Sequence, residues 1–213
     1  MADLKLLYDA ILTGKHKIAA EITQVAIEEK LEPKELIDNY LIKAMEEIGD
    51  RFEKQQAFVP ELLMAGRAMK ASLSLLQPLL KGDEATSQLG TIVIGTVKGD
   101  LHDIGKNLVG SMFEGCGFQV VDLGVDADSD KFVTAVKEHG ANLVGLSALL
   151  TRTMPCMKTI IEGLKAAGLR DKVKVMVGGA PVSSSFAEEI GADGYSDSAN
   201  SAVIKAKELL GVA

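Results

Sequence analysis

TIVIGTVKGDLHDIGKN, residues 91–107, decides the fold. Its first seven residues are an apolar, β-branched run of strand length, and the polar KGDLHD breaks that run before helical spacing begins. The same strand-then-helix rhythm repeats to the end of the chain. FQVVDL (118–123), NLVGLS (142–147) and KVKVMVG (172–178) read as further strands, with a weaker fifth near Asp193–Tyr195. Helical patterns fill the intervals 104–116, 129–139, 154–167, 183–190 and 198–210. This alternation predicts an α/β fold, a doubly wound, flavodoxin-like sheet of five parallel strands in the order 2-1-3-4-5. In that order the winding reverses between strands 1 and 3, and ligands bind outside the carboxyl ends of strands at such a point. The loops after Val97 and after Ser147 therefore matter most.

Upstream of this stretch the texture differs. Apolar residues recur at helical spacing in four segments, roughly 2–12, 15–30, 33–52 and 59–80. Gly14 separates the first pair, while Pro33 and Pro60 stand where a first helical turn accepts proline. Leu36, Ile37, Tyr40, Leu41, Ala44, Met45 and Ile48 make one apolar stripe. Residues 1–82 are thus expected to form an N-terminal four-helix bundle. KGDEATSQLG (81–90) has no periodicity and reads as a linker, leaving 90–213 as a second domain.

Composition narrows the function. A hydrophobic content of 47% with 25% charged residues is that of a folded globular chain. A net charge of −7 argues against nucleic-acid binding, which needs clustered Lys and Arg. Cys116 and Cys156 are too few for a disulfide framework and read as reduced, mostly buried thiols. The opening MADLKLLYDAILTGKHK places Asp3 and Asp9 where a signal peptide would be basic and then apolar, and no apolar run is long enough to span a bilayer. A cytoplasmic protein without membrane association is expected.

The loop after strand 1 places Asp100, His102, Asp103 and Gly105 at the switch point. An Asp two residues before a His can accept one imidazole N–H, fixing the tautomer and freeing the other nitrogen as a base or metal ligand. The alternative is a turn whose polar residues merely cap the next helix, a role open to Asp103. His16 and His139 lie far from His102, with no spacing suited to zinc, and both read as exposed helix-end residues. One isolated, oriented histidine holds a free ion poorly. It suits a metal already chelated by a macrocycle, which needs only an axial ligand. SALLTRTMP (147–155) adds Ser147, Thr151 and Thr153, and MVGGAP (176–181) adds Gly178 and Gly179. Each loop alone could equally be ordinary strand-end chemistry.

Taken together, DLHDIG, SALLTRT, VGGAP and ADGYSDSA resemble the binding signature of cobalamin-dependent methyl-transfer proteins. In that family an Asp-x-His-x-x-Gly element, a Ser-x-Leu element and a Gly-Gly pair follow in this order. RFEKQQAFVPELLMAGRAM (51–69) also resembles the helical cap before the cobalamin domain in methionine synthase and in the free-standing corrinoid proteins of methanol, methylamine or betaine methyltransferase systems. The resemblance covers essentially the whole chain.

It implies a corrinoid (cobalamin) cofactor whose cobalt takes His102 as lower axial ligand, with Asp100 and Thr153 as the relay behind it. Leu101, Asp103, Ile104, Gly105, Ser147, Leu149, Thr151, Gly178, Gly179, Ala180 and Tyr195 would bind the cofactor, and Phe58 and Met64 would cover its upper face. Arg152 stands where the family often has a small polar residue. The implied role is a methyl shuttle. Cobalt(I) accepts a methyl group from a substrate on one methyltransferase, and methylcobalt gives it to a second methyltransferase that serves a folate or thiol acceptor. A reductive activation protein is a further implied partner. A fragment of a B12-dependent mutase would share the histidine loop but lacks a reason for the helical cap. A cobalamin-binding regulator would need a DNA reader, and residues 1–88 carry 11 basic against 15 acidic side chains.

Overall fold

The protein, seen in a computed structural model, is described over residues 2–80 and 89–212; all but the last two residues of the expected linker lie outside them. Two compact units result, Met1–Leu89 with Ser111–Phe118, and Gly90–Gly110 with Gln119–Ala213.

The first unit is helical: α1 (Leu4–Leu12), α2 (His16–Glu28), α3 (Pro33–Leu36), α4 (Ile42–Glu53) and α5 (Val59–Leu76). A π-helical turn, Ile37–Leu41, joins α3 to α4, so the third expected segment is one continuous helical path with a widened turn. That turn keeps Leu36, Ile37, Leu41 and Ile42 all buried, and the apolar stripe continues inward through Ala44, Met45 and Ile48. Gly14 does more than separate α1 from α2. Its φ of +69° suits glycine, and a Cβ there would fall 2.4 Å from the Cβ of Met64 on α5. The remaining core comes from Leu7, Ile11, Leu62, Met69 and Leu76. Each large apolar side chain buried this way stabilises the bundle by roughly 1.5–3 kcal/mol.

The second unit alternates strands and helices. In order these are β1 (Thr91–Thr96), α6 (Ile104–Gly115), β2 (Gln119–Asp122), α7 (Ser129–His139), β3 (Leu143–Ser147), α8 (Pro155–Ala166), β4 (Lys174–Gly178), α9 (Ser184–Ile190), β5 (Gly194–Ser196) and α10 (Ala199–Leu210). The second half of α6 groups with the helical unit. The five strands are parallel and ordered β2-β1-β3-β4-β5, as the alternation predicts. Val93, Val144, Leu146, Val175 and Val177 pack with Phe132 and Val136 of α7 and with Met157, Ile160 and Leu164 of α8. Burial of β1 and β3 on both faces explains why their sequences are almost continuously apolar. Asp128, Ser183 and Ser198 cap the starts of α7, α9 and α10 through their side chains, and Gly140, Gly191 and Gly211 close their ends in the left-handed region. The sheet is thus a rigid platform, and the β1 and β3 exits lie side by side with Thr96 opposite Ser147.

Candidate functional site

Beyond β1 the chain turns at once. Asp100 N–H donates to Val97 O (3.1 Å), and the Asp100 carbonyl accepts from Asp126 N–H (3.1 Å). These bonds drive the Asp100 carboxylate inward, where it is fully buried. Oδ1 accepts from His102 Nδ1 (2.7 Å) and from His102 N–H (3.2 Å). Oδ2 accepts from the N–H groups of Leu149 (2.9 Å) and Leu150 (3.1 Å) and from Thr153 Oγ1 (2.7 Å). The β3 loop therefore wraps the carboxylate, and the carboxylate holds the histidine.

The electrostatics follow from those contacts. Burial alone would raise the Asp100 pKa, but hydrogen bonds from His102, Thr153 and Leu149 oppose it and hold the group well below the usual carboxylate range. An ionised carboxylate can only accept, so Nδ1 of His102 is the protonated nitrogen in that bond. Nε2 is then the ring nitrogen left to offer a lone pair. The His102 side chain is 50% exposed, so the ring is held on one side and open on the other. Such a group can act as a base or ligate a metal from a fixed direction.

Around this pair the structure collects most of the other expected residues. Leu101 and Ile104 are 72% and 87% exposed, and Leu149 is also exposed, giving the histidine loop an apolar rim facing solvent. Gly105, in the first turn of α6, has nothing within 4 Å of where a Cβ would be. Asp103 immediately precedes α6, and its Oδ2 accepts from the side-chain amide of Asn107 (3.1 Å). Ser147 ends β3 half-buried, opposite Gly178 of β4. Gly179 has φ +124°, and a Cβ there would lie 1.9 Å from the Ala148 carbonyl oxygen. Thr151, Arg152 and Ala180 are exposed. Tyr195, half-buried on β5, packs against the core beneath β3 and β4. In the helical unit, Phe58 and Met64 are 68% and 52% exposed, so neither is a bundle-core residue.

His139 ends α7 exposed, as its place before Gly140 suggests, whereas His16, at the start of α2, is half-buried rather than exposed. No cluster of three metal-ligating side chains occurs among the described residues. Sequence reasoning missed the Leu149 and Leu150 amides as donors to Asp100. It also missed Thr96, whose hydroxyl donates to His102 O (2.9 Å). Lys106 was passed over as well. Its buried ammonium donates to both carboxylate oxygens of Asp122 (2.7 and 2.5 Å) and to Asn107 Oδ1 (2.6 Å). A polar residue inside the apolar run TIVIGTV was the available signal for Thr96.

Comparison with known proteins agrees with this geometry. A B12 binding domain model matches residues 90–204, and a second B12 binding domain model matches residues 4–77. The dimethylamine corrinoid protein of Methanosarcina barkeri is 46% identical over 207 residues, covering 97% of each chain. A crystal structure of a cobalamin-binding protein from Desulfitobacterium hafniense matches with a TM-score of 0.80 at 33% identity, over 98% of both chains. The methanol:cobalamin methyltransferase complex of Methanosarcina barkeri matches with a TM-score of 0.84 at 28% identity, over 98% of this chain and 79% of that one. The chain belongs to the B12-binding corrinoid proteins.

Proposed function

We propose that this chain is the corrinoid carrier of a methyltransferase system, with residues 90–213 holding the corrinoid and residues 1–82 forming a cap above its reactive face. One observation carries the reading: a buried, ionised Asp100 accepts the Nδ1 proton of His102 and so holds the ring oriented with Nε2 open. The donor set fits an axial site, because a single imidazole is offered and no competing ligand cluster stands among the described residues. Open space at Gly105 and the exposed apolar rim of Leu101, Ile104 and Leu149 fit a broad, flat macrocycle lying over the loop. When bound, the corrinoid supplies a cobalt centre that takes up and gives up a methyl group.

The chain's own contribution is ligation, orientation and protection. His102 would hold the metal of a bound corrinoid through Nε2. Asp100 keeps the proton on Nδ1, and Thr153 with the Leu149 and Leu150 amides keeps Asp100 charged. Ser147, Thr151, Gly178, Gly179, Ala180 and Tyr195 line the cleft for the nucleotide tail, with Asp103 at its margin. Phe58 and Met64 exclude water and oxidants from the upper face. A substrate-specific methyltransferase is the partner that loads the methyl group. A second methyltransferase serving a folate or thiol, and a reductive activation protein, complete the cycle. Among the described residues no helix is long and apolar enough to cross a membrane, and the cytoplasm is the expected compartment.

The ligand assignment is tested by electron paramagnetic resonance of the cobalt(II) form, reconstituted with cobalamin. Uniform ¹⁵N-labelling of the protein should convert the axial nitrogen splitting from a triplet to a doublet. In His102→Ala that protein-derived splitting should be absent while the circular dichroism spectrum is unchanged. A doublet that survives His102→Ala in the labelled protein, or a triplet in the labelled parent, defeats the assignment.

A further inference from the structure

We propose that Thr96 is a positioning residue for His102, holding its backbone carbonyl while Asp100 holds its ring and its N–H. The inference rests on His102 being the axial ligand. Thr96 is the last residue of β1 and is fully buried. Its backbone is already fixed by the sheet region: its N–H donates to Gly124 O (3.0 Å), and its carbonyl accepts from Ala127 N–H (3.0 Å). The hydroxyl is then free to reach across six residues and donate to the His102 carbonyl at 2.9 Å.

The choice of residue is informative. In the run TIVIGTV a valine would offer the same β-branched shape and strand preference. Threonine differs by one hydroxyl, and a buried hydroxyl without a partner is destabilising. Its partner here is the main chain of the functional residue. Nε2 has a defined place only if both the ring rotation and the Cα position are fixed. Asp100 supplies the first and, through the His102 N–H, part of the second; the Thr96 hydroxyl completes the second from the carbonyl side. The far side of the loop has its own anchor, since Lys106 in the first turn of α6 is tied to Asp122 at the end of β2. Loss of the Thr96 hydroxyl should therefore loosen residues 97–103 without releasing α6.

The test compares Thr96→Val and Thr96→Ser with the parent in the full-length protein. Thr96→Val should bind cobalamin roughly tenfold more weakly, the lower end of what outer partners of a metal ligand contribute. It should also show a reduced protein nitrogen splitting. Thr96→Ser should restore both. In the ligand-free protein, long-range ¹H–¹⁵N spectra should show less of the Nδ1-protonated tautomer of His102 in Thr96→Val than in the parent or Thr96→Ser. If Thr96→Val loses thermal stability but keeps affinity within twofold, the splitting and the tautomer ratio, Thr96 is a core residue and the proposal fails. An unfolded Thr96→Val has the same meaning. A parent protein without the nitrogen splitting overturns the ligand reading instead, and the ligand-free tautomer ratio still decides whether Thr96 positions the ring.

Discussion

Replacing Asp100 by Asn changes one atom in a site where five donors converge on two oxygens. The amide must turn its NH₂ toward one set of those donors. Facing the Oδ2 side, it would oppose the N–H groups of both Leu149 and Leu150, neither of which can reverse. Facing the Oδ1 side, it opposes one backbone N–H, that of His102 at 3.2 Å, and the imidazole Nδ1. The imidazole can adapt by moving its proton to Nε2. The second orientation therefore wins, and it closes the lone pair the site exists to present. One opposed buried donor costs about 1–3 kcal/mol, and the retained bonds lose their charge assistance. A total loss of about 3 kcal/mol in unfolding free energy follows, measurable by urea denaturation. Corrinoid affinity should fall roughly 10- to 100-fold, less than in His102→Ala because the ring remains and can revert at some expense. Imidazole ¹⁵N shifts of the ligand-free variant should report the Nε2-protonated tautomer. An Asp100→Asn protein that keeps the Nδ1-protonated tautomer and stability within about 0.5 kcal/mol of the parent would refute the reasoning, because the carboxylate would then not be what sets the tautomer.

Other consequences are simpler. Phe58→Ala, at an exposed position, should shift stability by less than about 0.5 kcal/mol while speeding the oxidation of cobalt(I) in the loaded protein; unchanged oxidation in a stopped-flow assay would remove Phe58 from the cap's function. In the bundle, burial first and then the hydrogen bond to Glu47 push the Tyr8 phenol up to about 12, and the same bond lowers the Glu47 pKa. The raised phenol contributes stability that is present below about pH 10 and lost as the pH rises toward its folded value; the lowered carboxylate contributes stability that is lost as the pH falls below about 4.3. Tyr8→Phe should thus lower the melting temperature most between these limits, by the equivalent of about 1 kcal/mol, and a pH-independent difference would contradict this. Gly105→Ala should raise the melting temperature, since alanine is favoured in a helix by up to about 1 kcal/mol and meets no neighbour. The same variant should bind cobalamin more weakly, and equal binding would mean that the open space beside Gly105 is not used.

The sheet was legible because its signals are local and repeated. Each strand is an apolar run closed by a polar loop, and the parallel order follows once helices separate the strands. Asp100 and His102 were legible for a similar reason, since the interacting pair is two residues apart in sequence. Thr153 was different. It sits 53 residues from Asp100; the strand order brings its loop beside the Asp100 loop, and only the resemblance to a known family singles out its hydroxyl. The Leu149 and Leu150 contributions could not be read at all, because a backbone N–H belongs to every residue and its direction is set by tertiary structure. Lys106 gave no signal for a physical reason: a lysine on a helix is ordinarily solvent-facing, and only its pairing with Asp122 makes burial tolerable. The π turn at Ile37–Leu41 was likewise invisible, because its residues keep ordinary helical preferences and differ only in the hydrogen bonds they choose.

Two glycines of the site separate stability from function. Gly179 is demanded by the chain itself: its φ of +124° and the Ala148 carbonyl 1.9 Å from a would-be Cβ leave no room for a side chain. That glycine lets the β4 exit pack against the β3 exit, so the fold alone would require it whatever else it does. Gly105 has no such reason. It stands in a helix, where glycine is unfavourable, at a point where nothing in the chain comes near. A residue that weakens its own helix and serves no neighbour fits the proposed reading, in which something outside the chain must come close. The exposed Leu101 and Ile104 beside it give the same indication, because solvent-facing apolar side chains flanking a held histidine are poorly placed for water and well placed for a flat apolar ring. The loop therefore departs from local preference in several ways at once, and every departure lies within three residues of His102. A loop optimised only to connect β1 to α6 would have placed alanine at 105 and polar residues at 101 and 104.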